Sequence, residues 1–329
     1  MINTNRPLTL LTGGSGFVGS HVAEELLNRG MRVRCIVRAH SGWLTHLPVE
    51  ICRVGFDDLP GIENALSDVD YIVHVAGVTK AKSRSGYWKG NVEPTRQLLQ
   101  AAARVGRVKK FCLISSLAAV GPNTDSIPVN ERSECHPLTA YGRSKREAEL
   151  ICASFNPQVP IVIVRPPAVY GPRDRDVFEL FRWVSYGVKP VIGKAEKRLS
   201  LVFAPDLAKG IVEVLLSERT SGETYFISDP TSHTFTEQVD TVAALAHRKP
   251  IPIYFPAPLL YAIAGAVEAI SFFGSRPAVL SLDKARDLLQ EHWECSAEKI
   301  TREIGFVCPT PFREGLRKTY DWYREMKWL

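Results

Sequence analysis

The stretch Leu8-Thr9-Leu10-Leu11-Thr12-Gly13-Gly14-Ser15-Gly16-Phe17-Val18-Gly19 decides the fold. Leu8 to Leu11 reads as a short apolar strand, and an amphipathic helical pattern, Val18 to Arg29, follows the glycines directly. Such a junction needs one glycine for the tight turn, one where backbone approaches a bound group, and one where helix presses on strand. The helix N-terminus then faces the turn and favours phosphate. Strand before and helix after are both present, so the turn reads as a dinucleotide site rather than an ordinary glycine-rich connection.

Outward from this turn, short apolar runs alternate with helical patterns. Arg32 to Val37, Glu50 to Val54, Tyr71 to Val75, Lys110 to Ser115 and Ile161 to Arg165 read as strands. Val92 to Val105 and Tyr141 to Phe155 read as helices. Such alternation predicts an α/β fold, a Rossmann-type doubly wound parallel sheet. After Arg165 the rhythm breaks at Pro166, Pro167, Gly171 and Pro172. The expected division is a dinucleotide-binding domain over 1–165 and a smaller, mainly C-terminal substrate lobe over 166–329, with some return of chain to the sheet. Helices are expected there over Val177 to Tyr186, Asp206 to Leu216, Thr236 to Ala246, Leu259 to Phe273, Ala278 to Leu289 and Pro311 to Tyr323.

Composition narrows the class. The 329 residues are 45% hydrophobic and 23% charged, which excludes disorder and collagen. The net charge of +6 comes without a basic, aromatic-interleaved block, so no nucleic-acid partner is expected. The cysteines are scattered without a C-x-x-C pair, and the histidines form no ligand-spaced cluster, so neither a disulfide framework nor a metal is expected. The N-terminus lacks the order of a signal peptide, which points to the cytoplasm. Ala257 to Phe273 is apolar along most of its length, but Glu268 interrupts it and a spanning helix needs about 20 apolar residues. A buried or surface-lying helix fits it better than an integral membrane span.

Chemistry concentrates at four places. A NAD site usually carries an acid about 20 residues after the glycine turn, to hold the ribose 2′-hydroxyl. Arg38 stands there instead, and a guanidinium pairs with a 2′-phosphate, so NADP is the expected cofactor and NAD the alternative. Tyr141 and Lys145, at i and i+4, share one helix face. A phenol with a pKa of about 10 is a poor acid or base at neutral pH, and a nearby ammonium is expected to lower it. Ser115 and Ser116 close a strand at the carboxyl edge of the sheet, where open α/β folds bind ligands.

These residues together resemble the extended short-chain dehydrogenases/reductases, the NAD-dependent epimerase/dehydratase proteins, over essentially the whole chain. Thr12 to Gly19 is similar to the family's glycine turn, His74-Val75-Ala76-Gly77 to its H-x-A-G strand end, and Asn91 with Thr95 to its N-x-x-x-T helix. Tyr141 to Lys145 is similar to its Y-x-x-x-K, and Arg165 to Pro172 to its R-P-x-x-V-Y-G-P loop. The resemblance implies Tyr141 as general acid/base, Lys145 as its partner and ribose ligand, and Ser116 as the hydroxyl on the substrate oxygen. It implies cofactor contacts from Gly13, Ser15, Gly16, Phe17, Val18, Arg38, Phe56, Ala76, Gly77, Tyr141, Lys145, Ala168 and Val169, with the last two beside the nicotinamide. It also implies a homodimer.

Within the family, Ser115 to Asn123 looks most like beta-hydroxysteroid dehydrogenases and Val33 to Arg38 like dihydroflavonol-reductase-like members. The expected reaction interconverts a secondary alcohol and a ketone on a largely hydrophobic small molecule of steroid, flavonoid or polyketide type. Two departures bear on this. Val54-Gly55-Phe56-Asp57-Asp58 displaces the family's adenine-binding acid, leaving Phe56 to pack there, and Leu117 and Ala118 replace the acid that dehydratases carry after the serine. Arg198 matches a diphosphate-contacting position, so a nucleotide-sugar epimerase or reductase is the alternative, and a non-catalytic NADP-binding sensor the second. Lys80 to Arg84 reads as a solvated loop or a cationic overhang on the substrate, and Asn91 as a water-orienting or a backbone-bonding amide. Phe255, Leu259, Leu260, Tyr261, Ile263, Ala264, Val267 and Phe272 line a pocket or pack within the lobe or on a partner.

Overall fold

The apolar runs of the first half pair into a seven-stranded sheet in the order Thr224–Phe226, Ile161–Arg165, Lys110–Ile114, Tyr71–His74, Leu8–Thr12, Arg32–Ile36, Glu50–Cys52. All six pairings are parallel. The computed structural model describes residues 6–123, 127–193, 195–274 and 277–329, and the side chains of Phe272 and Phe273 lie outside the described ones.

Successive residues of each strand point to opposite faces. Leu11, Val33, Cys35, Val73, Cys112 and Val162 pack on one side with Val22, Leu26, Leu207 and Ile211 from the helices Phe17–Asn28 and Ala204–Leu216. Leu10, Ile72, Phe111, Leu113 and Ile161 pack on the other with Ile62, Leu98, Leu99 and Ile151 from the helices Leu59–Leu66, Glu93–Val105 and Ala140–Phe155. Coverage on both faces explains why the strands read as unbroken apolar runs. The order reverses between Leu8–Thr12 and Tyr71–His74, which opens a crevice at their carboxyl ends.

After Arg165 the chain builds a separate aromatic-rich core from Tyr170, Phe181, Phe203, Val239, Phe312 and Tyr323, while Thr224–Phe226 returns to the sheet edge. The strand expected to end at Ser115 stops at Ile114, and the helix expected from Ala278 begins only at Leu282. Ser281 is its cap, its hydroxyl accepting the Lys284 N–H at 3.1 Å. Leu59–Leu66 is a helix that hydropathy alone did not reveal, although its start carries Asp58 as cap and Pro60 in the first turn. The parallel pair Val188–Ile192 and Ile251–Phe255 was equally hidden, because Pro190 and Pro252 break the strand signal and fit only a short, exposed ladder. Among the described residues no helix is long and apolar enough to cross a membrane.

Candidate active site

Gly13 has φ of +74°, and a Cβ there would sit 2.6 Å from the amide nitrogen of Ala76. A Cβ on Gly19 would sit 2.1 Å from the Gly13 carbonyl oxygen, so helix and turn touch through backbone alone. Gly16 begins the helix with no side-chain cap and no acid stands in the first turn. The amides around Phe17 and Val18 therefore keep their capacity for an anion, which fits a pyrophosphate. Ser15 lies half-buried in the same turn, its carbonyl oxygen 2.4 Å from where a Gly42 Cβ would be. Arg38 and His40 are exposed at the end of the neighbouring strand, and Arg53 joins them by donating to the Ala39 carbonyl at 2.9 Å. Phe56 sets its ring edge-on to His74, with centroids 6.0 Å apart.

A buried chain of hydrogen bonds locks the crevice floor. The Ala76 N–H donates to Thr12 Oγ1 at 3.2 Å, and Thr12 Oγ1 meets His74 Nδ1 at 2.7 Å. His74 Nε2 lies 3.1 Å from Thr95 Oγ1, and that hydroxyl donates to the Asn91 carbonyl at 2.7 Å. Since the Thr95 proton is committed to a carbonyl, donor counting assigns the imidazole proton to Nε2 and leaves Nδ1 to accept from Thr12. Burial, helped by the charge of Lys145, pushes the His74 pKa down to about 3, so the ring is neutral. The Asn91 amide accepts from the Val78 N–H at 2.7 Å and donates to the Val78 carbonyl at 3.1 Å and to Ser144 Oγ at 2.8 Å. Of its two expected roles, the geometry is that of the backbone-bonding amide. It sits in a single π-helical turn, Trp88–Val92, a distortion that often marks functional sites.

The helix Ala140–Phe155 is capped by Thr139, whose hydroxyl accepts the Gly142 N–H at 3.0 Å. Gly142 is needed because a Cβ there would come within 2.2 Å of the Ala118 carbonyl oxygen. That close approach brings Tyr141 to Ser116. Ser116 Oγ accepts the Ala118 N–H at 3.1 Å, which leaves its proton uncommitted on the side of the Tyr141 phenol. Burial pushes the phenol up to about 12 against the pull of the Ser116 hydrogen bond. The lowering expected from Lys145 does not offset this burial, the ammonium being directed elsewhere. Lys145 Nζ donates to the Ile114 carbonyl at 2.8 Å and is itself pushed down to about 8 by burial, with Glu149 pulling the other way. A Cβ on Gly77 would lie 2.8 Å from Asn91 Oδ1 and 3.3 Å from Lys145 Nζ, so the strand end that carries Ala76 and Gly77 borders the lysine.

Ser115, the other serine, is excluded from substrate. It is buried, and its hydroxyl donates to Glu149 Oε1 at 2.5 Å, beside the two-pronged Arg165–Glu149 pair. The Leu117 N–H donates to the Pro166 carbonyl at 2.9 Å, which draws the Ala168–Tyr170 strand, with Ala168 and Val169, toward Ser116. Arg198 is engaged by Glu294 at 3.2 Å and Ser232 at 3.0 Å. In the Lys80 to Arg84 loop Lys80 pairs with Asp176 at 2.5 Å. Tyr87, just beyond it, was not singled out in the sequence, yet its ring centroid lies 6.3 Å from that of Tyr141.

Comparison with known proteins agrees with this geometry. Residues 9–228 match the NAD dependent epimerase/dehydratase family. The chain is 29% identical to the ceramide reductase of Caulobacter vibrioides, across 100% of this chain and 98% of that protein. It is likewise 29% identical to sterol demethylase protein B of Methylococcus capsulatus, over 96% and 98% of the two chains. Its fold overlays the UDP-glucose 4-epimerase of Thermotoga maritima with a TM-score of 0.80 at 21% identity, covering 97% and 99%. The chain belongs to the NAD dependent epimerase/dehydratase family and is an oxidoreductase of the short-chain dehydrogenase type.

Proposed function

We propose that the protein interconverts a secondary alcohol and a ketone on a largely apolar substrate, with NADP preferred over NAD. The observation that carries the reading is the packing of Gly142 on the Ala118 carbonyl, which sets Tyr141 beside Ser116 at the carboxyl edge of the sheet, with Leu117 and Ala118 rather than an acid after the serine. Relatives named for ceramide reduction and sterol demethylation support the apolar class.

A bound nicotinamide dinucleotide supplies the hydride. Gly13, Ser15, Gly16, Phe17 and Val18 would hold its pyrophosphate, Ala76, Gly77 and Phe56 its adenosine side, and Lys145, Ala168 and Val169 its nicotinamide side. Arg38 would hold a 2′-phosphate, with Arg53 adding positive charge. In the reducing direction Tyr141 gives its proton to the substrate oxygen while Ser116 hydrogen-bonds that oxygen. The high proton affinity of Tyr141 keeps it loaded as an acid at neutral pH. Lys145 holds a positive charge near the developing phenolate.

A sugar-nucleotide reading would recruit Arg198 to a diphosphate, which requires breaking its contacts with Glu294 and Ser232. A sensor has no use for the Ser116–Tyr141 contact. The test is an NADPH absorbance assay over bulky apolar ketones and keto-sugar nucleotides, with Tyr141→Phe as control. Reduction of apolar ketones alone, lost in Tyr141→Phe while cofactor affinity stays, is the expected result. Turnover of sugar nucleotides alone overturns the substrate class, and an active phenylalanine variant overturns the proton donor.

A further inference from the structure

The helix Ala257–Phe273 carries two apolar stripes where a packed helix needs one. Leu260 and Ala264 are buried against Ala285, Ile192, Leu280 and Leu288. Leu259, Ala262, Ala266, Ala269 and Ile270 form a second stripe that faces out. Ile270 is 73% exposed, and the strand leading into the helix adds Ile251 at 71% and Tyr254 at 67%. Tyr186, 79% exposed, adjoins them, because the Ile251 N–H donates to the Gly187 carbonyl at 2.8 Å. Of the residues expected to line a pocket, Leu259 and Tyr261 are exposed, Leu260 and Ala264 are buried within the lobe, and Phe255, Ile263 and Val267 are half-buried, with Phe272 outside the described side chains.

Cations stand at both ends of this surface. His247, Arg248 and Lys249 are exposed immediately before Ile251, and among the described residues Arg248 and Lys249 have no acidic partner. At the far end Lys82 donates to the Gly274 carbonyl, with Arg84 exposed beside it. The one acid on the helix, Glu268, accepts the Leu282 N–H at 2.8 Å. The helix that covers the buried side of Ala257–Phe273 reaches the candidate active site: its Asp283 accepts the Ala140 N–H at 2.7 Å, one residue before Tyr141.

We propose that this cation-flanked apolar face docks the protein on an anionic lipid bilayer, with the mouth of the active site at the membrane surface. The helix is 17 residues long and lies across the surface rather than spanning. An apolar face flanked by Lys and Arg matches acyl chains below and anionic headgroups around. A second copy of this chain would cover the apolar stripe in a two-fold contact, but it would set these cations against their own images. The inference goes beyond the apolar-ketone reading and stands on the surface alone.

Flotation of the full chain with phosphatidylcholine vesicles, with and without phosphatidylglycerol, tests it. The wild type is expected to float with the anionic vesicles, and added salt to weaken binding. Arg248→Ala and Lys249→Ala should each cost about fivefold in partitioning. The double variant Ile270→Asp with Tyr254→Asp should cost about tenfold or more. All variants should keep wild-type melting temperature and turnover of a small water-soluble ketone. A wild type that stays with the pellet fraction in both vesicle types overturns the proposal. So does a solution dimer, seen by sedimentation equilibrium, that Ile270→Asp dissociates in a protein that never floats. Flotation without turnover of any ketone leaves this proposal standing and removes the catalytic reading instead.

Discussion

Tyr141 and Lys145 lie one helical turn apart, and burial moves them in opposite senses, the phenol up to about 12 and the ammonium down to about 8. The titrating group near neutrality is therefore the lysine. Ketone reduction should fall above about pH 8 as Lys145 loses its proton, while Tyr141 remains protonated. In Lys145→Arg the guanidinium stays charged far beyond that pH. A pH profile of kcat should then show a slower variant whose alkaline fall moves upward. At the other end of the crevice, the proposed 2′-phosphate contact rests on Arg38. Arg38→Ala should weaken NADPH binding by about tenfold, or about 1.4 kcal/mol, and leave NADH nearly unchanged, as read by calorimetric titration.

Elements rather than single side chains set the distances. The first turn of Ala140–Phe155 carries Tyr141, and Thr139 satisfies one of its free amides. Thr139→Ala should cost about 1 kcal/mol of stability in denaturant unfolding. Because the frayed turn is the one that holds the phenol against Ser116, kcat should drop while cofactor affinity holds. The glycine turn is held differently, by absence of side chains. A methyl at Gly13 meets the Ala76 backbone at a positive φ, so Gly13→Ala should impair both folding and cofactor binding.

Across the whole molecule, His74 joins the strand Leu8–Thr12 through Thr12 to the helix Glu93–Val105 through Thr95. Its pKa is about 3 when folded and near 6.5 when free, so the unfolded chain binds more protons between those values. Stability contributed by a neutral His74 is thus complete above about pH 6.5 and is lost as pH falls toward 3. Asp174 acts in the opposite sense between its ordinary 3.8 and a folded value of about 6, raised by burial. Between about pH 4 and 6 the two nearly cancel, so the wild-type melting temperature should change little there, while in His74→Asn it should rise as pH falls through that range. The Arg165–Glu149 pair ties the strand Ile161–Arg165 to the tyrosine helix with both side chains buried. Removal of one partner there leaves an uncompensated buried charge, at a cost of about 3–5 kcal/mol.

The fold was legible from the residues because its signals are local. Leu8 to Gly19 joins a strand, a turn and a helix within a dozen positions, and parallel strands covered on both sides announce themselves as apolar runs. Tyr141 and Lys145 were legible for the same reason, as a spacing within one helix. What needed the tertiary structure was every property that depends on neighbours distant in the chain. Sequence spacing alone predicted a lysine that lowers the phenol, but Lys145 is turned to the Ile114 carbonyl and the site is desolvated, so the phenol rises. Ser115 and Ser116 are adjacent and chemically identical; the family resemblance pointed to Ser116, and the burial of Ser115 against Glu149 gives the physical reason. The chain from Thr12 through His74 to Thr95, the approach of Tyr87, and the outward stripe on Ala257–Phe273 likewise arise from packing between elements. Hydropathy records that a residue is apolar, whereas which face of a doubly apolar helix is covered is decided by what folds against it.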